Sequence, residues 1–351
     1  MSRVSTLGPA LALLALIGVW QPLQAQIEIR QAATFGAAGS GEISAYPSAV
    51  TRDSRGRYFV AVPHQLPLVF DANGRFLQSI GRLGDGPNEY RKVVRILVGR
   101  GDTLYVVDQW ASRITVLSPE LRLLRSMSVR EYDNAVLLTD GVILATSDLS
   151  TSLRFDRVSP EGQQLQHYTE AGAPCVTQER CWSRLTRALS SAPDGGFWAA
   201  PRFHRYELER RSRSGNLLRV LRPASPWYAS YDTLTTTSPR VAPQASIAGL
   251  WQDSVGALWV VGNSADPSWK DARWEDQVRR EGVAIQTPVT ADELLDGAVE
   301  VIDSQSGGVL ARRRVPYRID GVAGPGAVYS IGQDKDGFYI VKVFDISLVR
   351  R

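Results

Sequence analysis

Cysteine, histidine and methionine are scarce in this sequence: its 351 residues include 2 Cys, 3 His and 2 Met. No CxxC, HExxH or paired-histidine motif occurs, so the sequence carries no recognisable zinc or dithiol site. The excess of positive over negative charge is also small, because the formal net charge is only +4. The short arginine runs come without an aromatic-rich basic groove, and we therefore expect no nucleic-acid partner.

Long hydrophobic runs are limited to the N-terminus. Arg3 supplies a positive charge, Leu7 to Trp20 form an apolar stretch that is short for a membrane span, and residues 23–25 suit a cleavage site. This arrangement predicts a signal peptide over residues 1–25 and a mature chain over residues 26–351 that is periplasmic or secreted. An uncleaved membrane anchor is the alternative; after cleavage we expect no stable membrane span.

The two cysteines, Cys175 and Cys181, have five residues between them. In an exported protein this pair favours a disulfide that pins a loop. A metal site or a thiol nucleophile is the less favoured alternative.

Glycine and proline are abundant, with 30 Gly and 19 Pro, which suits short strands joined by many turns and therefore an all-β fold. A glycine-containing turn followed by an apolar strand recurs six times, as in VGRGDTLYVVD and WQDSVGALWVV. A four-stranded propeller blade takes roughly 40–45 residues, and the first turn glycines are 45 and 40 residues apart. The repeat therefore predicts a six-bladed β-propeller with four-stranded blades. The turn glycines are Gly56, Gly101, Gly141, Gly195, Gly256 and Gly337.

A second repeat predicts how the ring closes. Gly36, Gly39 and Gly41 recur as Gly81, Gly84 and Gly86, an offset of 45 residues at each glycine. The strand from Ile27 to Thr34 is therefore expected to be a fourth strand that pairs with a strand from Ile346 to Val349. Such pairing would remove an open sheet edge.

Loop length predicts which face of the propeller is functional. The turns between strands 1 and 2 and between strands 3 and 4 of each blade are short. The long connections lie between strands 2 and 3 or between successive blades, and both kinds emerge on one face. The longest, residues 264–297, falls in the fifth blade and is expected to contain helices, because Trp274 and Val278 would share a helix face and residues 290–293 resemble a capping box.

Tryptophan usage favours the same face. Five tryptophans fall in its connections, where exposed rings could stack on a peptide, a sugar or another flat ligand. Packing of these rings within the loops is the alternative. The candidate ligand-binding residues are Trp110, Trp182, Trp227, Trp269, Trp274, His64, His204 and Arg202.

The stretch from Asp108 to Ile114, DQWASRI, resembles an NHL-type repeat, although Ala111 or Ser112 stands where that pattern has Asn. The preceding GRLGDGPNEY resembles a signature of bacterial exported six-bladed propellers. This resemblance implies the architecture, with Asp108 and Arg113 as a structural pair across a loop. NHL-like propellers include protein-binding and RNA-binding modules and some lyases, and related six-bladed folds include metal-dependent lactonases, so the fold does not choose the function.

Two functional hypotheses follow. The first, and favoured, is a monomeric exported recognition module, without cofactor, that binds a peptide, glycan or protein on the long-loop face. The second is a Ca²⁺-dependent lactonase or lyase acting at the mouth of the central channel, since oxygen ligands from several blades could converge there. Its candidate metal ligands, besides the two histidines His64 and His204, are Asp108, Asp148, Asn263 and Asp345.

Overall fold

The computed structural model describes residues 25–37, 39, 41–130, 132, 134–140, 143–149, 152–171, 183–235, 237–272, 274–278, 284–288 and 294–350. The predicted signal peptide lies outside these residues apart from Ala25, and so do Cys175 and Cys181. The cleavage and the disulfide therefore stay predictions. Within the described residues, no helix is long and apolar enough to cross a membrane.

The fold is an all-β propeller with very little helix. Its main elements are six four-stranded antiparallel sheets, called blades 1 to 6 below in chain order. Strand β1 (Ala25–Phe35) precedes blade 1. Blade 1 contains β2 (Ala49–Arg52), β3 (Tyr58–Ala61), β4 (Leu68–Phe70) and β5 (Phe76–Ser79), and is followed by a short parallel pair, β6 (Arg82–Leu83) and β7 (Glu89–Tyr90). Blade 2 contains β8 (Val93–Val98), β9 (Leu104–Asp108), β10 (Arg113–Leu117) and β11 (Leu123–Ser128).

The later blades follow the same order from the innermost strand outwards. Blade 3 contains β12 (Asn134–Leu137), β13 (Ile143–Leu149), β14 (Ser152–Val158) and β15 (Gln164–Ala171). Blade 4 contains β16 (Arg187–Ser191), β17 (Phe197–Pro201), β18 (Leu208–Arg211) and β19 (Leu217–Leu221). Blade 5 contains β20 (Ser246–Gln252), β21 (Ala257–Ala265), β24 (Leu295–Asp303) and β25 (Val309–Val315), with a hairpin of β22 (Trp274–Val278) and β23 (Ala284–Pro288) inserted.

Blade 6 is made from both ends of the chain. It contains β26 (Gly321–Gly324), β27 (Ala327–Gln333), β28 (Tyr339–Arg350) and, on the outside, β1. Strand β1 runs antiparallel to β28, with Ile27 opposite Leu348 and Phe35 opposite Val341. The residues from Tyr339 onward form the single strand β28 rather than two strands. The turn at Gly337 therefore joins the second and third strands of blade 6. The turn between the first and second strands of this blade lies at residues 324–326.

Tight turns have a common hydrogen-bond pattern that explains why they are short. Asp53 accepts the backbone N–H groups of Arg55 and Arg57, at 3.1 and 2.8 Å. Asp253 accepts from Val255 and Ala257 in the same way, at 3.0 and 2.9 Å. A carboxylate that satisfies the amides of its own turn closes a reversal within a few residues.

The hydrophobic core lies between the blades. One cluster packs Phe35 and Tyr329 of blade 6 on Phe70 of blade 1, and a second packs Trp259 of blade 5 on Phe344 of blade 6. Further clusters join the remaining neighbouring blades. Each blade buries both of its faces against its neighbours, since a single four-stranded sheet cannot cover them alone.

The expected helices of the 264–297 insertion are not observed in its described part. Trp269–Asp271 form one 3-10 turn, and β22 pairs with β23, with Trp274 opposite Pro288 and Val278 opposite Ala284. Residues at i and i+4 share a face in a strand as well as in a helix, because four is a multiple of the strand period of two. The Trp274 and Val278 spacing was therefore no evidence for a helix. Residues 290–293 lie outside the described residues.

Candidate functional site

The two ends of the propeller differ in loop length. The chain enters each innermost strand from a connection between blades and leaves it through a tight turn. The end with the 2–3 and between-blade connections is called the long-loop face, and the other end the tight-turn face. The starts of β8, β12, β16 and β26 therefore meet around the central channel at the long-loop face.

A cavity of about 430 Å³ lies between the innermost strands, and residues of all six blades line it. A second cavity of about 270 Å³ shares Ser48, Arg202, Asp320 and Tyr329 with the first and lies at the long-loop end, next to Tyr46. Together they form the central channel and its mouth. The volume of the larger cavity is within the range of small-molecule sites.

Arg95 projects into this channel from an otherwise apolar strand, VVRILV. Its Nε donates a hydrogen bond of 2.9 Å to Oδ1 of Asn134 on the neighbouring innermost strand. Asn134 is itself fixed, because its Nδ2 donates to the backbone carbonyl of Arg187 at 3.0 Å. Burial lowers the pKa of Arg95, since the cation is removed from bulk water. The residue has no ion-pair partner in the described part of the chain.

Arg202 enters the same channel from the end of β17, and its Nε donates to the backbone carbonyl of Ile247 at 3.1 Å. Burial lowers its pKa, and repulsion from Arg95 lowers it further. Tyr329 lines the same cavity. Burial raises the pKa of its phenol, and the charges of Arg95 and Arg202 oppose that shift. Two guanidinium groups and a protonated phenol thus converge on one space.

The channel mouth carries a compensated carboxylate. Asp320 forms an ion pair with Arg318 at 2.7 Å, accepts from the hydroxyl of Tyr46 at 2.5 Å and accepts from the backbone N–H of Ile331 at 2.7 Å. Burial raises the pKa of Asp320, and Arg318 opposes that shift. Asp320 raises the pKa of Arg202, but less than Tyr329 and Tyr46 do.

An exposed aromatic cluster lies on the rim of the long-loop face, away from the channel. Trp110, between β9 and β10, is 54% exposed. Its ring centroid lies 4.9 Å from that of His64, and Nζ of Lys92 lies 5.3 Å from the Trp110 centroid. These three residues, called the rim cluster below, come from connections of blades 1 and 2. A flat apolar ring beside two polar groups is a typical recognition surface.

The other predicted tryptophans are placed differently. Trp227 is half-buried and makes edge-to-face contacts with Tyr206 and Tyr228, with centroids 5.3 Å apart in each pair. It therefore packs within its loop rather than presenting a free ring. Trp269 is half-buried in the 3-10 turn, with Nζ of Lys270 5.8 Å from its ring centroid. Trp182 and the side chain of Trp274 lie outside the described residues.

His204 is buried at the end of the channel-lining segment after β17. Its Nε2 lies 3.0 Å from the hydroxyl of Ser183, and its Nδ1 lies 3.2 Å from the backbone carbonyl of Tyr231. Both ring nitrogens thus have partners within the loop. We interpret His204 as a residue that joins two connections and not as an exposed ligand contact.

Among the four Asp and Asn candidate metal ligands, the three whose side chains the structure describes, Asp108, Asn263 and Asp345, do not converge. Asp108 accepts the backbone N–H groups of Arg91, Lys92 and Ala111, at 2.7, 3.0 and 3.2 Å. Asn263 exchanges two hydrogen bonds of 2.8 Å with the backbone of Ile319. Asp345 pairs with Arg30 and Arg52 near the tight-turn face, and the side chain of Asp148 lies outside the described residues. Among the described residues, no group of three His, Cys, Asp or Glu side chains could hold a metal ion.

Asp108 and Arg113 lie opposite each other at the ends of β9 and β10, on either side of the loop. Their side chains do not form the expected ion pair: the Arg113 guanidinium donates to the backbone carbonyls of Asp85 and Gly86, at 2.9 and 3.1 Å, and to that of Glu89. Glu89 in turn accepts the backbone N–H of Gly86 at 2.7 Å. Both charged side chains bind the backbone of the GRLGDGPNEY loop, and this fixes the loop beside the rim cluster.

Sequence reasoning missed Arg95, Asp320 and Tyr329. Arg95 had a usable signal, since a charged residue inside a buried innermost strand must face the channel if it does not face a neighbouring blade. Asp320 and Tyr329 had none, because an Asp at the start of a strand and a Tyr within one are ordinary.

Comparisons with known proteins support the fold. A family model described as a 6-bladed beta-propeller matches residues 47–120. No curated protein matches the sequence. A member of the DUF4221 family from Bacteroides vulgatus is similar in structure, with 9% identity, a TM-score of 0.56 and coverage of 94% of this chain and 100% of that one. A Bacteroides fragilis protein described as exported has 11% identity, a TM-score of 0.54 and coverage of 90% of this chain and 94% of that one.

Virginiamycin B lyase from Staphylococcus aureus is a third similar structure, with 11% identity, coverage of 91% of this chain and 99% of that one, and a TM-score of 0.45. At that score the likeness carries no argument about activity. The resemblance to bacterial propellers is confirmed for the fold. The NHL repeat stays a prediction.

Proposed function

We propose that this chain is an exported recognition module that binds a peptide, a glycan or a protein on its long-loop face, in the periplasm or outside the cell. The observation that carries the proposal is the exposure of Trp110 within the rim cluster. A large aromatic ring that is 54% exposed leaves considerable apolar area in water. Burying that area against a partner would be favourable.

The contacts of the rim cluster support this proposal. His64 and Lys92 hold positions beside the Trp110 ring, so part of the ring's orientation is set before any partner arrives. Recognition surfaces of this kind lose less side-chain entropy on binding than mobile ones do. The adjoining loop is fixed as well, since Arg113 and Glu89 bind its backbone.

The tight-turn face supports the choice of surface by contrast. Its turns are capped by their own side chains: Asp71 accepts from Asn73 and Arg75, both at 2.9 Å. Most residues of these turns are Asp, Ser, Asn, Arg or Gly, although Val255 is an exposed apolar side chain in one of them. Binding energy concentrates in a few aromatic and arginine anchors, and the rim cluster provides these types of contact.

A binding screen, repeated with one variant of the rim cluster and two control variants of tight turns, tests the proposal. The probes are a glycan array and the extracellular and periplasmic proteins of the source cells, the latter captured with a photo-crosslinking residue at position 110. For each ligand found, we expect Trp110→Ala to weaken binding by roughly thirtyfold, since truncating an interface anchor costs about 2 kcal/mol. The controls Asp71→Lys and Glu161→Lys alter tight turns and should leave the affinity unchanged.

The opposite pattern would refute the choice of face. If the tight-turn variants abolish binding while Trp110→Ala retains it, the partner binds elsewhere. Unchanged circular dichroism and melting temperature of Trp110→Ala would show that any loss is not due to unfolding.

A further inference from the structure

The central channel contains two arginines that form no ion pair within the described residues. Within the described residues, the guanidinium of Arg95 makes one hydrogen bond, from Nε to Asn134, and that of Arg202 makes one, from Nε to Ile247. The terminal nitrogens of both side chains have no ion-pair partner there, and both residues line the 430 Å³ cavity. Both side chains are half-buried, and a cation that loses part of its hydration in a narrow channel is normally paired.

Two other charged residues that line the channel form ion pairs: Arg52 with Asp345 at 2.6 Å, and Asp320 with Arg318 at 2.7 Å. Arg187, which also lines the cavity, donates from Nη1 to the backbone carbonyls of Arg184 and Thr186. Arg95 and Arg202 each make only one side-chain hydrogen bond within the described residues. Their mutual repulsion adds to the loss of hydration, and it lowers the pKa of Arg202.

We propose that Arg95, Arg202 and the hydroxyl of Tyr329 form a binding site in the central channel for an oxyanion group, a carboxylate or a phosphate. A guanidinium presents its N–H groups in a planar fork that matches the oxygens of either group. The hydroxyl of Tyr329 adds another hydrogen-bond donor for the oxygens of the ligand. The three side chains come from blades 2, 4 and 6, so the site exists only in the assembled ring.

The site is held in place before a ligand arrives. Nε of each arginine donates a hydrogen bond to a neighbouring innermost strand. The two terminal nitrogens of each guanidinium therefore remain available to a ligand. The ring of Tyr329 passes over Gly321, where an added Cβ would lie 2.5 Å from its hydroxyl oxygen. Glycine at this position therefore gives the tyrosine its room, and preorganisation of this kind increases affinity.

The cavity limits what the ligand can be. A volume of about 430 Å³ admits a small organic molecule but not a folded domain. The mouth opens at the long-loop face beside Tyr46 and Asp320. A small metabolite with a terminal carboxylate or phosphate fits, and so does an acidic chain end that enters from that face. This site is separate from the rim cluster, and either could exist without the other.

Titration calorimetry of the folded mature chain in dilute Tris buffer tests the proposal, with inorganic phosphate and acetate as separate probes. We expect at least one of them to bind and to raise the melting temperature, because a ligand that binds only the folded state stabilises it. Binding of phosphate alone or of acetate alone identifies which oxyanion the channel prefers. If neither binds at millimolar concentration, the proposal is wrong.

Variants locate the site. Arg95→Gln and Arg202→Gln should each weaken binding at least tenfold, and Tyr329→Phe, which keeps the ring and removes only the hydroxyl, should weaken it several-fold. Arg122→Gln, an exposed arginine on a tight turn, removes the same charge and should bind like the wild type. Equal affinities for Arg122→Gln and the channel variants would show non-specific binding and would overturn the proposal.

Two further measurements keep the result interpretable. Without added anion, Arg202→Gln should melt at the same temperature as the wild type or higher, because it removes a half-buried charge that has no ion-pair partner among the described residues; a large decrease would show that the arginine is structural. Trp110→Ala should bind the anion normally. If Trp110→Ala abolished anion binding, the anion would lie at the rim and not in the channel.

Discussion

Two buried polar residues at strand ends, Asp108 and Asn263, bind backbone groups in the described part of the chain. Asp108 is 1% exposed and accepts three N–H groups, and Asn263 pairs with the backbone of Ile319 on both sides of its amide. Both looked like metal ligands in the sequence, because both stand at strand ends on the channel side. The same oxygen atoms serve either purpose, and only the distances to neighbouring amides decide which.

Replacing Asp108 tests this interpretation. We expect Asp108→Ala to reduce the free energy of unfolding by at least about 2 kcal/mol, because it leaves buried N–H groups without an acceptor. Asp85→Ala, whose carboxylate is exposed and pairs only with Arg91 among the described residues, should change it by less than about 0.5 kcal/mol. Urea denaturation measures both. A metal role would instead make the wild type lose stability in EDTA, and we expect no such effect.

His204 makes the stability depend on pH. Burial lowers its pKa below the usual 6.5, against the opposing effect of the Tyr231 carbonyl, and Arg184 lowers it further. As pH falls from about 7, the unfolded chain therefore takes up a proton before the folded chain does, and the free energy of unfolding decreases until the lowered pKa is passed. Denaturation at pH 7.5 and 5.5 should show this loss in the wild type and in His64→Gln, and a smaller loss in His204→Gln. Equal losses in all three proteins would contradict the assignment.

At the scale of elements, a glutamate accepts a glycine N–H in both glycine-rich connections. Glu89 accepts the N–H of Gly86 at 2.7 Å, and Glu42 accepts that of Gly39 at 3.0 Å, each three residues away. These two glycines are not equivalent, because the 45-residue offset matches Gly39 with Gly84. The equivalent glycines differ in how tightly they are packed: Gly84 has φ of 145° and an added Cβ would meet the Glu89 carboxylate, whereas Gly39 has φ of 119° and an added Cβ would have no described atom within 4 Å.

The two glycines form a matched pair for mutagenesis. Both alanine variants carry the strain of positive φ, but Gly84→Ala adds a steric clash, so we expect it to cost about 1–3 kcal/mol more than Gly39→Ala. Chemical denaturation gives the difference, and hydrogen exchange at the Gly86 amide reports whether the Glu89 contact is lost. Equal costs would mean that the Glu89 side chain moves aside freely.

For the whole molecule, we propose that the pairing of β1 with β28 closes a six-bladed ring. Strand β1 buries Ile27, Ala33 and Phe35 between blades, and it covers the outer edge of blade 6. Deleting residues 26–35 from the mature chain exposes that edge together with these apolar contacts. Ile27 and Phe35 each contribute about 1.5–3 kcal/mol when buried, so we expect the melting temperature to fall by about 5 °C or more, with increased aggregation. An unchanged melting temperature would show that β1 does not close the ring.

The sequence alone determined the local units. In blade 2 the motif VGRGDTLYVVD predicted a glycine-containing turn followed by an apolar strand, and the structure has a 3-10 turn at Arg100–Asp102 followed by strand β9. Turn chemistry and alternating burial act over a few residues, so a short stretch contains all that is needed to specify such a unit.

Only the tertiary structure decided which side chains are exposed and which meet. Trp110 and Trp227 both lie in connections between strands, yet one ring is exposed and the other packs edge-to-face against two tyrosines that stack on each other. Arg95 and Arg202 lie in different blades and become neighbours only around the channel. Their separation depends on the number of blades and on how tightly the blades pack, which are properties of the ring, so no local pattern records it.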